Sequence, residues 1–365
     1  ARITEAAQPL EEIRNEVVAE AAAPIGGDRV NCRSGECEMG NLVADAMLDR
    51  VKGQGIEVRF VDPADPENFR RAVDDRTRAF YAETLPNPRL QLFPIAEVAE
   101  IGEELGIPLI VDNTAAPVIC RPLSLGAHVV VYSTTKYIGG HGTTVGGVIV
   151  DGGTFDWEKH AARFPTLNRP DPSYHGAVWT EAVKPIGPVA YITRARVVLL
   201  RDLGSSMTPM AAFQFLQGLE TLPLRMREHC RNAAAVAGFL AGQPAVTRVI
   251  YPGLFDGLQR ERADVALEGG YGGLVGFELA GGVAAGRRFI DALKLFHHVA
   301  NIGDARSLAI HPASTTHQQL SPEDQLRTGV TPGFVRLSVG LEHIEDILAD
   351  VEQALQAAGG LAKAA

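Results

Sequence analysis

The chain has 365 residues, 46% of them hydrophobic and 21% charged, the make-up of a folded protein of two or three domains rather than a disordered one. Its formal charge of −10, with no dense Lys/Arg block to relieve it, sets the surface against polyanions, so neither nucleic acid nor an anionic membrane is an expected partner. No apolar run approaches the roughly 20 residues that span a bilayer, and the acidic start ARITEAAQPLEEIRNE is unlike a signal peptide, so a soluble, cytoplasmic protein is expected.

Residues 1–52 differ in texture from the rest, with an acidic helical start, a turn at Gly26-Gly27-Asp28 and an amphipathic stretch from Asn41 to Val51. Cys32, Cys37, Cys120 and Cys230 are too few and too scattered for a disulfide framework. Cys32 and Cys37 form a lone Cys-x4-Cys without the second ligand pair that a zinc site needs.

After Gly55, short β-branched runs alternate with helical patterns. The runs are IEVRF (56–60), RAFYA (78–82), IPLIVD (107–112), HVVVYS (128–133) and VGGVIV (145–150). The near-continuous apolar character of LIV and VVV is what strands covered on both faces of a parallel sheet require. Ile95, Val98, Ala99 and Leu105 share one helix face, and Gly106 stops that helix. The β–α alternation predicts an α/β large domain over 53–218. Within it, residues 155–188 are rich in Pro, Gly and aromatic residues and read as a long irregular connection, more often functional than idle. A long helical pattern then runs from Pro209 to Leu240. Beyond it, strands TRVIY, GLVGFEL and FVRLSV mix with helices at 283–294 and 343–357, which predicts a smaller α+β domain over 219–365.

Chemistry is suggested where two of these strands end. Asp112 closes IPLIVD, and Asn-Thr-Ala-Ala-Pro cannot continue a buried strand, so its carboxylate falls at the carboxyl edge where open parallel sheets bind ligands. One strand later, Tyr132-Ser133-Thr134-Thr135-Lys136 places hydroxyls and an amine at the end of HVVVYS. Parallel pairing would turn Asp112 and Lys136 into one crevice. That pair suits pyridoxal phosphate, whose aldehyde needs a nucleophilic lysine and whose pyridine nitrogen needs an anion to stay protonated. A surface lysine and a turn-forming aspartate fit the pattern equally well. His141 in GGHG reads as a turn residue. His297, His298, His311 and His317 lack ligand spacing, so no metal is expected, and packing is the default for Tyr132 and Tyr137.

AETLPNP (82–88), LIVDNTAAP (109–117), YSTTKYIGGHG (132–142) and FVRLSVGLEHIEDILADVEQAL (334–355) together resemble the Cys/Met-metabolism family of pyridoxal-phosphate enzymes. The likeness runs from about Gly55 to the C-terminus. Within the family, the insertion at 151–181 and HPASTTHQQLSPEDQ (311–325) are most similar to O-acetylhomoserine sulfhydrylases. The resemblance implies an aspartate-aminotransferase-like fold of type I, with a mainly parallel sheet in the large domain and a smaller C-terminal α+β domain. It implies that Lys136 carries the cofactor as a Schiff base and shuttles protons, that Asp112 pairs with the pyridinium, and that Ser133 and Thr135 hold the phosphate. Asn87 matches the asparagine near the cofactor's phenolic oxygen and the substrate, and Glu83 supports the site from behind. Arg336, helped by Ser307, matches the grip on the substrate carboxylate, a task that suits a planar guanidinium. The implied reaction exchanges the acetoxy group of O-acetylhomoserine for sulfide or a thiol in a homodimer or homotetramer. γ-Elimination with the same residues is the alternative, and a non-catalytic remnant is another.

The pattern departs from the family upstream of IEVRF. The family's glycine-containing phosphate loop and its Tyr-Gly-Gly-Thr stretch do not precede that run here. Instead, GDRVNCRSGECEMGNLVADAML (27–48) resembles part of the C-terminal domain of bifunctional 5′-nucleotidases, and the chain reads as a fusion of the two.

Overall fold

The computed structural model describes residues 56–359, except Ser205 and Gln319. The segment 1–52, the nucleotidase-like stretch 27–48, Cys32 and Cys37 lie outside the described residues.

Strands β1 (Phe80–Glu83), β2 (Leu109–Asp112), β3 (Val129–Ser133) and β4 (Gly147–Asp151) form one sheet in that order. β1, β2 and β3 run parallel. A parallel pair needs a crossover, and helix α1 (Ile95–Leu105) supplies the one between β1 and β2. α1 buries Ile95, Val98, Ala99 and Ile101 on one face, and Gly106, at φ +65°, ends it in the left-handed conformation that favours glycine. Leu109, Val111 and Val129 have no exposed surface, as the apolar runs require.

Two expected strands differ from their reading. VGGVIV does pair with the sheet, but β4 runs antiparallel to β3. Val148, Ile149 and Val150 are 40%, 45% and 37% exposed, so its apolar run does not signify coverage on both faces. IEVRF forms no strand. Ile56, Val58 and Phe60 are exposed, and no strand among the described residues lies alongside to pair with them. The connection 155–188 is more ordered than expected: short helical turns at Pro165–Asn168 and Trp179–Ala182 bring Phe155, Trp157, Phe164, Leu167, Trp179 and Val183 into an apolar cluster of its own. Edge-to-face rings, such as Phe155 on Trp157 with centroids 4.6 Å apart, hold it together.

Helix α2 (Pro209–Ala241) starts where the Thr208 hydroxyl accepts from Ala211 N at 3.2 Å, with Pro209 at the first helical position. It runs across residues 218 and 219. The second sheet contains β5 (Val246–Ile250), β6 (Leu274–Leu279), β7 (His297–His298), β8 (Leu308–Ile310) and β9 (Phe334–Ser338), in the order β5-β6-β9-β8-β7. β9 is central and buried throughout. Helices α3 (Gly282–Ala292) and α4 (Ile344–Ala358) cover this sheet, where Phe289, Ile347 and Val351 meet Val275, Phe277, Val335 and Leu337. No helix among the described residues is long and apolar enough to cross a membrane.

Candidate active site

The parallel register sets Glu83 opposite Asp112, so two carboxylates end adjacent strands. Asp112 accepts from Thr114 N at 2.9 Å through one oxygen and from the Tyr81 hydroxyl at 3.3 Å through the other. Desolvation, then the negative charges of Asp112 and Glu83, push the Tyr81 phenol up to about 12, so it stays a donor. Desolvation by neighbouring groups, then Asp112, hold the Glu83 carboxyl above its ordinary value, against a hydrogen bond from the Asn87 main chain. Asn87 itself is exposed in the loop after β1. Thr114 also joins the two strand ends, because its hydroxyl accepts from Ser133 N at 2.8 Å.

After β3 the chain winds into a tight turn. Lys136 N bonds Ser133 O at 3.2 Å, Gly139 N bonds Thr134 O at 2.8 Å and Gly140 N bonds Lys136 O at 2.7 Å. The Thr135 hydroxyl is shared with Gly146, accepting from its N–H at 3.0 Å and donating to its carbonyl at 3.3 Å. The Ser133 hydroxyl has no hydrogen-bond partner among the described residues. The Lys136 side chain is half-buried and donates from Nζ to Asn301 Oδ1. Desolvation and, next, the Arg336 charge lower the amine's pKa, which favours the free base that imine formation needs.

Arg336 lies on β9, 8% exposed, and no carboxylate among the described residues pairs with it. Its Nη2 donates to Asn301 O at 3.0 Å, and its Nε has no partner. Burial lowers the guanidinium pKa to about 10. A desolvated cation with an idle donor is costly unless an anion fills the gap, and a carboxylate matches its planar fork. Ser307 immediately precedes β8, which pairs with β9, but its hydroxyl is committed. It donates to Glu342 Oε2 at 2.8 Å and accepts from Gly340 N at 2.8 Å.

Asn301 was not legible from the sequence. It lies in an aperiodic loop, 165 residues from Lys136, yet it touches both the amine and the guanidinium. The donor set fits pyridoxal phosphate: an amine of lowered pKa, a carboxylate at the neighbouring strand end, a hydroxyl without a protein partner and a buried cation awaiting an anion. His141 is exposed, its Nδ1 2.9 Å from Gly139 O. Among the described residues no three His, Cys, Asp or Glu side chains converge as metal ligands would.

The comparisons agree with this chemistry. A family model described as Cys/Met metabolism PLP-dependent enzyme matches residues 42–356. An O-acetyl-L-homoserine sulfhydrylase of Leptospira meyeri is 54% identical over 309 residues, covering 83% of this chain and 70% of that protein. A homocysteine synthase of Schizosaccharomyces pombe is 45% identical over 306 residues, covering 83% and 71%. Among solved structures, one described as an O-acetylhomoserine (thiol)-lyase from Campylobacter jejuni aligns with a TM-score of 0.78 and 37% identity, over 84% of this chain and 72% of that one. It carries a pyridoxyl-lysine-5′-monophosphate.

Proposed function

This chain belongs to the Cys/Met-metabolism family of pyridoxal-phosphate-dependent enzymes, and we propose that it replaces the acetoxy group of O-acetyl-L-homoserine with sulfide, giving homocysteine and acetate. The observation that carries the reading is the placing of Lys136 and Arg336 on two oxygens of one residue, Asn301. An amine and a carboxylate grip at that separation suit an α-amino acid, whose two functional groups share one carbon.

Bound pyridoxal phosphate supplies the electron sink that makes proton loss beside the amino group feasible. The chain's own residues orient and move protons. Arg336 takes the substrate carboxylate through its fork of N–H donors. Lys136 would hold the cofactor through its amine and would take up the proton lost from the substrate's Cα, a role that its lowered pKa favours. Asp112, steadied by Thr114 and Tyr81, would pair with the ring nitrogen and favour its protonated form. Ser133 and Thr135 are assigned to the phosphate, Thr135 with its hydroxyl shared with Gly146. Asn87 would approach the phenolic oxygen and the substrate, and Glu83 would support the site from behind. Ser307 braces the end of β9 through Gly340 and Glu342.

Met210, Phe213, Leu216 and Leu219 are exposed apolar side chains along α2 and support self-association as a homodimer or homotetramer. The buried free thiols of Cys120 and Cys230 suit a reducing compartment, in line with a cytoplasmic location.

The test is an absorption spectrum of the purified chain with added pyridoxal phosphate, followed by product analysis. The expected result is an imine band that Lys136→Ala abolishes, and homocysteine formed from O-acetylhomoserine only when sulfide is present. A parent chain with no band overturns the reading. A keto acid and ammonia in place of homocysteine would replace it with γ-elimination.

A further inference from the structure

Three polar residues line one buried face of α2. Arg225, His229 and Asn232 recur at i, i+4 and i+7, and they are 8%, 0% and 0% exposed. Each bonds at least one backbone oxygen outside α2. Arg225 donates from Nη1 to Tyr137 O at 2.6 Å and from Nη2 to Ile138 O at 3.0 Å, the two carbonyls that follow Lys136. Its remaining bonds, Nη2 to Gly218 O at 2.8 Å and Nε to Thr221 Oγ1 at 3.1 Å, tie the same guanidinium back to α2. His229 Nδ1 lies 2.7 Å from Val339 O, and Asn232 Nδ2 donates at 3.1 Å to both Gly340 O and Glu342 O, just beyond the strand that carries Arg336.

A buried guanidinium with no carboxylate partner is an expensive way to satisfy carbonyls that a neutral side chain could cap. Its planar fork, however, holds two successive carbonyls on two nitrogens of fixed spacing. The turn from Ser133 to Gly140 closes on itself through its own N–H groups, and the carbonyls of residues 137 and 138 are the part that faces α2. Arg225 therefore fixes how the turn is seated, while His229 and Asn232 fix the end of the arginine strand from the same helix.

We infer that Arg225 is a positioning residue for Lys136, holding the turn so that the amine meets the cofactor aldehyde and the substrate's α-proton in register with Arg336. The inference rests on Lys136 being the cofactor lysine.

The test compares the full chain with Arg225→Met and Arg225→Lys. Each protein is mixed with pyridoxal phosphate and reduced with borohydride at set times, and the pyridoxyl adduct on Lys136 is counted by peptide mass spectrometry. The exposed Lys159 serves as internal reference, and circular dichroism monitors the fold. Arg225→Met is expected to slow adduct formation on Lys136 about tenfold with Lys159 unchanged, as loss of a positioned geometry does. Arg225→Lys, which keeps the charge but carries its donors on one flexible nitrogen without the planar fork, is expected to fall between the parent and Arg225→Met. In assays, kcat should drop while the KM for O-acetylhomoserine holds within about twofold, because the carboxylate grip is untouched. A purely structural role would lower stability and leave the Lys136 to Lys159 ratio alone. Either folded variant matching the parent ratio overturns the inference, so Arg225→Lys decides alone if Arg225→Met does not fold. A parent chain that forms no adduct on Lys136 instead sinks the reading of the cofactor lysine, and this inference with it.

Discussion

Lys136 and Arg336 meet on Asn301, the amine at its side-chain oxygen and the guanidinium at its main-chain oxygen. Only the first of these contacts depends on the side chain, so it can be altered alone. Asn301→Asp would put a carboxylate against Nζ at little change in size. An opposite charge favours the ammonium, so the amine pKa rises and less free base remains near neutral pH. The expected outcome is slower imine formation at pH 7.5 that recovers as pH is raised. The rate of appearance of the imine band, followed across pH, checks it, and a profile that superimposes on the parent's would refute the contact.

Arg336→Ala should separate binding from chemistry. Hydrogen bonds to a charged group are worth about 1.5–3 kcal/mol, so losing the carboxylate grip should raise KM about ten- to a hundredfold. Arg336 also lowers the Lys136 pKa, after desolvation. Without it the amine holds its proton to higher pH, and the rise of kcat with pH moves to the alkaline side. Steady-state kinetics across pH measure both effects. An unchanged KM would remove Arg336 from the substrate site.

The parts of this architecture that could be read in the sequence are those fixed by local patterns. Leu109 to Asp112 and Val129 to Ser133 are apolar runs bounded by chain-breaking residues, and their parallel pairing brings their carboxyl ends together. Asp112 and Lys136 were visible for that reason. The direction of β4 was not, since VGGVIV has the same composition as a covered parallel strand, and only tertiary pairing makes it antiparallel and exposed. IEVRF alternates like a strand, yet strand propensity without a neighbour yields none. Asn301 and Arg225 were hidden more deeply. One sits in a loop with no period, and the other occupies a helix whose pattern does not say which oxygens its buried face will meet.

Gly218 should resist the substitution that usually strengthens a helix. Gly→Ala in a helix interior ordinarily gains about 1 kcal/mol. Here a Cβ on Gly218 would press into the Ile138 carbonyl oxygen, backbone that cannot swing aside, and that oxygen already accepts from Arg225. Overpacking of this kind costs about 1–3 kcal/mol, enough to reverse the sign. Gly218→Ala is expected to lower the urea midpoint without changing the slope, and to slow pyridoxyl trapping on Lys136. A variant at least as stable as the parent would show that α2 does not approach the lysine turn so closely.

His229 predicts an acid-sensitive contribution to stability that needs no cofactor. It has no exposed surface, and its Nε2 has no partner. Burial, outweighing the hydrogen bond to Val339, lowers its pKa from 6.5 to about 4. A depressed folded-state value means that the unfolded chain binds the proton more readily. The contribution is therefore complete above pH 6.5 and is lost as pH falls from there toward about 4. At about 1.4 kcal/mol for each pH unit between the two values, roughly 3 kcal/mol is at stake. His229→Gln keeps a side-chain donor for the Val339 carbonyl and cannot ionise in this range. Packing sets its stability at pH 7.5 independently of titration, so the informative quantity is the slope. Urea unfolding at pH 7.5, 6 and 5 should show the parent losing stability faster than His229→Gln, with the two curves converging toward acid. Parallel curves would mean that His229 is not held neutral in the folded chain.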